Sequence, residues 1–275
     1  MLTRVLTGFV ALCVLIPVLI FSSTVALPIA LALVAVVSLY EIFKCIGLHK
    51  KVAVVLPPYL FALVSPFLIR YMENRVQFAL IAFMAAALYL LYLFPLVIWS
   101  HGKLAFANVL TSYALSLYII GALLSILYIR DFQESGKYIY LLIFIGAWVT
   151  DVFAYFTGFL FGKHKLIEDV SPKKTIEGSV GGILFCALGF AILGLVVDHW
   201  FEQNANILFL VICGVIISVI SQIGDLIMSV IKRHYGIKDY GKLFPGHGGV
   251  LDRFDSILAV SLVLFVLNEF ASIFK

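Results

Sequence analysis

The feature that most constrains this chain is a succession of apolar runs, each long enough to cross a lipid bilayer. A transmembrane helix needs about 20 mostly apolar residues, within a range of roughly 17–25. Of the 275 residues, 63% are hydrophobic and 12% are charged, whereas a soluble domain is only about 45–50% apolar. The qualifying runs lie near residues 5–22, 25–43, 52–70, 76–98, 105–128, 138–161, 178–197, 206–231 and 253–273. The sequence therefore predicts an all-α polytopic integral membrane protein with about nine transmembrane helices.

Lysine and arginine residues are divided unevenly between the loops. With nine spans, 14 of the 19 fall on one side of the membrane and 5 on the other, and the positive-inside rule places the richer side in the cytoplasm. The polar loops 162–177 and 232–252 then both face the cytoplasm. We expect one membrane domain over residues 1–275, with N-terminal helices in 1–135 and a functional half in 136–275. The basic residues follow loops and form no continuous stripe, which argues against nucleic-acid binding.

Polar side chains are concentrated in residues 221–256, which join the last two apolar runs. Ser221, Asp225, Ser229 and Lys232 follow one another at helical spacing and share one face of the eighth run. A carboxylate at the bilayer centre costs about 2.5–3.5 kcal/mol on insertion scales. Asp225 is tolerable there only if it faces a polar cavity, an opposite charge or a metal. This stretch is therefore the predicted functional site.

Two further carboxylates, Asp252 and Asp255, stand three residues apart where the last run begins. Carboxylates that converge while ionised need a cation between them, and oxygen ligands suit Mg²⁺, which is held by one or two carboxylates together with substrate phosphates. The preceding glycines, Gly248 and Gly249, allow successive backbone N–H groups to form a concavity for an anion. The pattern predicts a magnesium–polyphosphate site with Asp225 and Asp252 as metal ligands.

A second polar group lies upstream, in the sixth run. Asp151, Tyr155, Gly158 and Gly162 are spaced to share one helix face, and the two glycines would allow a neighbouring helix to approach closely. Asp151 has two interpretations, as a site residue or as a contact that holds two helices together.

The segment after this run contains two adjacent lysines, Lys173 and Lys174. Ser171 followed by Pro172 is typical of an N-cap and the first residue of a helix, so we expect a helix to begin there. The lysines would bind phosphate, or would serve only to fix the topology of the membrane helices.

Residues 229–255 read S-V-I-K-R-H-Y-G-I-K-D-Y-G-K-L-F-P-G-H-G-G-V-L-D-R-F-D. This segment resembles the signature of the phosphatidate cytidylyltransferases, also called CDP-diacylglycerol synthases. Residues 222–226 (Q-I-G-D-L), 151–155 (D-V-F-A-Y) and 171–178 (S-P-K-K-T-I-E-G) are similar to further segments of that family. The resemblance covers the chain from about residue 140 onward. It is closest to the bacterial type, whose members also lack a long polar N-terminal extension.

The resemblance implies a reaction in which CTP and phosphatidate give CDP-diacylglycerol and pyrophosphate, with Mg²⁺, in a multi-pass protein of the cytoplasmic (inner) membrane. It also suggests a homodimer. The candidate catalytic residues are Asp225, Lys232, Asp252 and Asp255. The candidate substrate-binding residues are Lys173, Lys174, Ser229, Arg233, His247, Gly248, Gly249 and Arg253.

Other interpretations remain at this stage. The chain could be a CTP-dependent lipid kinase, a synthase acting on another lipid phosphate, or a secondary transporter, although the polar residues gather at one mouth and no inverted repeat is visible. Asp225 could form a structural pair with Lys232 or Arg253, and Asp255 could serve only as structural support. Glu41 and Glu269, near helix ends, are interpreted as structural.

Overall fold

The computed structural model describes residues 2–133, 135–246, 248–270 and 273, with side chains from residue 7 onward. The elements follow in the order α1 (Leu2–Ile20), α2 (Ala26–Ile46), α3 (Val52–Tyr71), α4 (Arg75–Trp99), α5 (Phe106–Phe132), α6 (Gly136–Ile139), α7 (Leu141–Phe161), β1 (Lys165–Ile167), β2 (Ser171–Thr175), α8 (Ile176–Phe201), α9 (Ile207–His234) and α10 (Leu251–Phe270). The predicted all-α class is confirmed, and one short hairpin is added to it.

Seven helical segments of the described chain are long and apolar enough to cross a membrane. They are α2, α3, α4, α5, the pair α6 and α7 taken together, α8 and α9. Helix α1 contributes a shorter apolar segment, Thr7–Ile20, and α10 carries Asp252, Arg253 and Asp255 among its first five residues. The protein is therefore a polytopic membrane protein, while the number of nine spans stays a prediction.

The chain divides into two compact units. The first unit comprises Met1–Leu127 and Ile237–Arg253, and the second comprises Tyr128–Gly236 and Phe254–Lys275. Helix α10 begins in the first unit and continues in the second, so its first turn joins the polar loop to the last apolar segment.

Helix α3 of the first unit is a single helix of 20 residues although it contains three prolines. A proline has no N–H to donate to the carbonyl four residues earlier, so Pro58 cannot satisfy the carbonyl of Val54. The hydroxyl of Tyr89 on α4 donates to that carbonyl at 2.8 Å. A buried side chain of the neighbouring helix thus supplies the hydrogen bond that the proline removes.

Helices α7 and α8 of the second unit approach closely through glycines. A Cβ atom placed on Gly178 would lie 2.5 Å from the carbonyl oxygen of Ala154 and 3.1 Å from the Cα of Gly158. One placed on Gly181 would collide with the side chain of Thr157. The close approach predicted for Gly158 is therefore confirmed. On the α8 side of the contact, the residues that lie against α7 are Gly178 and Gly181.

The segment between α7 and α8 corrects one prediction. Ser171 does not begin a helix; it begins β2, which pairs antiparallel with β1 through Lys165 with Thr175 and Ile167 with Ser171. Helix α8 starts later, after Thr175, whose hydroxyl accepts the N–H of Gly178 at 3.1 Å. The prediction was wrong because a proline after a serine is also compatible with an exposed strand edge, and Thr175 is also a favourable N-cap.

Candidate active site

The polar stripe predicted for residues 221–232 lies on one continuous helix, α9. Ser221 is fully buried and Lys232 is 9% exposed. The hydroxyl of Ser229 donates to Asp225 Oδ1 at 3.5 Å, one helical turn away. The stripe is therefore a polar face of α9 that is buried at Ser221 and Lys232 and partly exposed at Asp225.

Lys174 is the ion-pair partner of Asp225. Its Nζ lies 2.7 Å from Asp225 Oδ2, and the same ammonium group lies 3.5 Å from the carbonyl oxygen of Gln222. Because the side chains of Lys174 and Asp225 are 24% and 29% exposed, the pair remains accessible. Neither partner proposed for a structural ion pair, Lys232 or Arg253, takes this position.

The hairpin places Lys174 at Asp225. Lys174 is the penultimate residue of β2, directly before the N-cap of α8, and α9 is tied to the start of α8 where Gln222 Nε2 donates to the carbonyl of Ser179 at 3.3 Å. Successive residues of a strand point to opposite faces, so Lys173 points away from Lys174 and is exposed. The two lysines predicted to act together are separated by the strand geometry.

Asp255 on α10 joins this group of charges. Helices α9 and α10 meet at Gly224, where a Cβ atom would lie 2.6 Å from that of Ala259 and 3.1 Å from the carbonyl oxygen of Asp255. Asp255 is 8% exposed. The charged groups that act on Asp255 include Asp225, Asp151 and Lys232.

We call Asp151, Asp225 and Asp255, with Lys174 and Lys232, the charged cluster. It is built by α7, β2, α9 and α10, and all of it belongs to the second unit. The cluster gathers three carboxyl groups and two ammonium groups, and its observed ion pair joins Lys174 to Asp225. A lysine in such a position can exchange a carboxylate partner for a phosphate.

The polar loop 237–250 belongs to the first unit and is ordered by two carboxylates. Asp252 Oδ2 accepts the N–H of Tyr240 at 2.8 Å and that of Gly249 at 2.9 Å. Glu41 accepts the N–H groups of Val250 and Leu251. The backbone concavity predicted at Gly249 therefore holds a carboxylate of the chain itself in this structure.

The remaining predicted substrate-binding residues lie in this loop, near the end of α9 and near the start of α10. Gly248 has a positive φ of 87°, and its carbonyl accepts the N–H of Phe244 at 2.9 Å. Arg233 and Arg253 are exposed. His247 lies outside the described residues. The assignment of these residues to phosphate binding stays a prediction.

Comparison with known proteins decides the family. A profile described as the cytidylyltransferase family matches residues 2–271. The chain belongs to the cytidylyltransferase family. Three curated relatives named phosphatidate cytidylyltransferase, from Staphylococcus haemolyticus, Staphylococcus saprophyticus and Staphylococcus aureus, are each 43% identical over 141 residues. The matched region covers 51% of this chain and 53% of each relative, about half the length of those proteins.

The residues present fit a metal that is shared with a substrate. Among the described residues, no three His, Cys, Asp or Glu side chains converge closely enough to hold an ion by themselves. Magnesium in phosphate-handling enzymes takes one or two carboxylates and completes its shell with water and substrate oxygens, and Asp225 is a partly exposed carboxylate that could serve in this way. Asp252 belongs to the first unit, and its part in binding a metal stays a prediction.

The sequence did not predict the partners of two carboxylates in this cytidylyltransferase, Asp225 and Glu41. Lys174 and Asp225 were both singled out, but the pairing between them was not predicted. Glu41 was interpreted as structural without a partner, and its partners lie 209 and 210 residues away. The sequence does indicate that each of these carboxylates has a partner, because a carboxylate inside an apolar run is costly to bury alone. It does not indicate which residue the partner is.

Proposed function

We propose that this protein is a phosphatidate cytidylyltransferase. A phosphate oxygen of phosphatidate attacks the α-phosphorus of CTP, the bond from that phosphorus to the oxygen bridging to the β-phosphorus breaks, and pyrophosphate leaves. The observation that carries the proposal is the charged cluster, in which accessible Lys174 of the hairpin is held 2.7 Å from Asp225 of helix α9. The family match and the names of the relatives support it.

The lysines of the charged cluster would oppose the repulsion between the two anionic substrates. Lys174 can transfer its hydrogen bond from Asp225 to a phosphate oxygen without moving far. Lys232 lies on the same face of α9 as Asp225. Removal of one preorganised hydrogen-bond donor from a developing negative charge typically costs about 10²–10³ in rate. A phosphate monoester is largely ionised near neutral pH, because its second pKa is about 6, so the attack needs no general base.

We include Mg²⁺ in the proposal. Asp225, with Asp255 near it, would hold the ion, and the assignment of Asp252 as a metal ligand stays a prediction from the sequence. When bound, Mg²⁺ supplies positive charge to the phosphates of CTP and aligns them. The carboxylates would fix where that charge lies, and the lysines would contact the oxygens that the metal does not.

The proposal includes a location in the cytoplasmic membrane with the hairpin and the polar loop on the cytoplasmic side, where CTP is found. The basis is the 14-to-5 division of Lys and Arg between the two sides. Association into a homodimer stays a prediction from the family resemblance.

Labelled CTP tests the reaction. Purified protein in detergent is incubated with phosphatidate and Mg²⁺, and with CTP labelled at the α- or the γ-phosphorus. We expect the α-label in the lipid extract and the γ-label in pyrophosphate. Transfer of the γ-label to lipid with release of CDP would instead identify a lipid kinase, and label confined to unreacted CTP would overturn the proposal.

A further inference from the structure

Glu41 is a buried carboxylate near the C-terminal end of α2, with 3% of its surface exposed. Its Oε1 accepts the N–H of Val250 at 3.0 Å, and its Oε2 accepts the N–H of Leu251 at 2.8 Å. Both carboxylate oxygens are thus directed at two consecutive peptide groups at the start of α10. All three residues belong to the first unit.

This contact satisfies the beginning of a helix from a distant part of the chain. The first N–H groups of an α-helix have no partner inside the helix, and a negative charge is favourable there because of the helix dipole. A local side chain usually provides such a cap. Here a residue on α2 does so, and it fixes both the position and the direction of the first turn of α10.

Two glycines of the polar loop pack directly on the carboxylate. A Cβ atom placed on Gly241 or on Gly249 would collide with Glu41 Oε1. Neither glycine has a positive φ, so backbone conformation does not require glycine at either position. The space taken by Glu41 gives a physical reason for both glycines within the stretch that resembles the family signature.

The contacts of Glu41 and Asp252 lie side by side along the backbone. Gly249 donates to Asp252 at 2.9 Å, and the next two N–H groups donate to Glu41. Tyr240, at the other end of the loop, also donates to Asp252 at 2.8 Å. A displacement of Val250 and Leu251 would therefore move Asp252 and both ends of the loop together.

We propose that Glu41 is a positioning residue for the reaction: it holds the polar loop and Asp252 in their working arrangement through the N–H groups of Val250 and Leu251. This inference rests on the proposed function for its kinetic consequence. A glutamine at position 41 can accept one of the two N–H groups, but its amide nitrogen cannot accept the other.

The test compares wild-type protein, Glu41→Gln and the matched control Glu73→Gln, an exposed glutamate of the α3–α4 connection. Melting temperature, amide hydrogen exchange of residues 237–253 and steady-state kinetics are measured. We expect faster exchange at residues 250 and 251 in Glu41→Gln, and a kcat about 10–100-fold lower per folded molecule, because small misplacements of reacting groups have effects of this size. The KM for phosphatidate should change less than about twofold, since lost positioning acts mainly on kcat.

A second variant covers the case in which Glu41→Gln does not fold. Gly241→Ala inserts a Cβ against Glu41 Oε1 and keeps the charge, and Gly121→Ala is its control because a Cβ there meets nothing within 4 Å. We expect Gly241→Ala to reproduce the exchange and kcat changes. Wild-type kcat per folded molecule in either site variant would overturn the inference, as would failure of both to fold, which would make Glu41 a stability residue. If wild-type protein forms no CDP-lipid, the proposed function fails instead, and the exchange data still report whether Glu41 holds the loop.

Discussion

Lys174 Nζ lies 2.7 Å from Asp225 Oδ2, and this contact joins the hairpin that precedes α8 to the polar face of α9. Each side chain keeps about a quarter of its surface exposed, so the pair is screened in part and is expected to add little to stability. The pair instead places an ammonium group and a carboxylate together at an accessible point of a membrane domain, near buried Asp255.

Lys174→Ala should lower kcat about 10²–10³-fold, because it removes a cationic donor aimed at the reacting phosphates, and should leave the melting temperature almost unchanged. Lys174→Arg should restore activity only in part, since a planar guanidinium replaces a compact charge. Steady-state kinetics with CTP and phosphatidate measure this, with Lys137→Ala, at the exposed lysine of α6, as the control. Wild-type kinetics in Lys174→Ala would show that this lysine serves topology alone.

Tyr89→Phe should destabilise the first unit, because it leaves the carbonyl of Val54 without the hydroxyl that replaces the missing N–H of Pro58. Hydrogen bonds between membrane helices contribute about 0.5–2 kcal/mol, so we expect a loss in this range in a detergent unfolding titration. Tyr92→Phe, at a tyrosine that is 43% exposed, is the control. Equal stability of the two variants would exclude the repair of α3 by Tyr89.

Gly178→Ala should destabilise the contact of α7 with α8, because its Cβ would lie 2.5 Å from a backbone oxygen that cannot rotate away. Overpacking of this kind costs about 1–3 kcal/mol. Gly189→Ala is the milder comparison, since its Cβ would meet a methyl group of Ile145 at 3.2 Å. Thermal unfolding of the two variants decides, and a melting temperature of Gly178→Ala at or above that of Gly189→Ala would contradict the close packing.

Single cysteines at Lys165 and Lys238 should react with a membrane-impermeant thiol reagent from the cytoplasmic side, and one at Asn204 from the opposite side. All three positions are exposed, and the four native cysteines are replaced first. The expectation follows from the charge asymmetry of the loops. Labelling of Lys238→Cys only from outside would overturn both the orientation and the route proposed for CTP.

The features predicted correctly from the sequence are those that depend on neighbouring residues. The apolar runs became helices, and the spacing of Ser221, Asp225, Ser229 and Lys232 placed them on one face of α9. The glycine spacing of α7 indicated a close helix contact, because glycine permits it wherever the partner comes from.

The features that could not be predicted depend on which distant segments meet. Nothing near Glu41 in the sequence identifies Val250 and Leu251 as its partners, and nothing near Lys174 identifies Asp225. The start of α8 was placed too early because Ser171 and Thr175 are both competent N-caps, and only pairing of 171–175 with β1 decides between them. Charge and periodicity indicate that a buried group needs a partner, whereas tertiary packing determines which partner it obtains.

The most direct test of the proposed site is the Mg²⁺ dependence of both melting temperature and CDP-diacylglycerol synthesis in Asp225→Asn. Asp198→Asn, at the far end of α8, is the matched control, since its amide oxygen can still accept the N–H of Ala205. We expect wild type and Asp198→Asn to gain thermal stability and activity as Mg²⁺ is added. Asp225→Asn should fold with nearly the wild-type melting temperature without Mg²⁺, gain no stability from the ion and form no product. A well-folded Asp225→Asn protein with normal Mg²⁺-dependent synthesis would contradict the assignment of the active site.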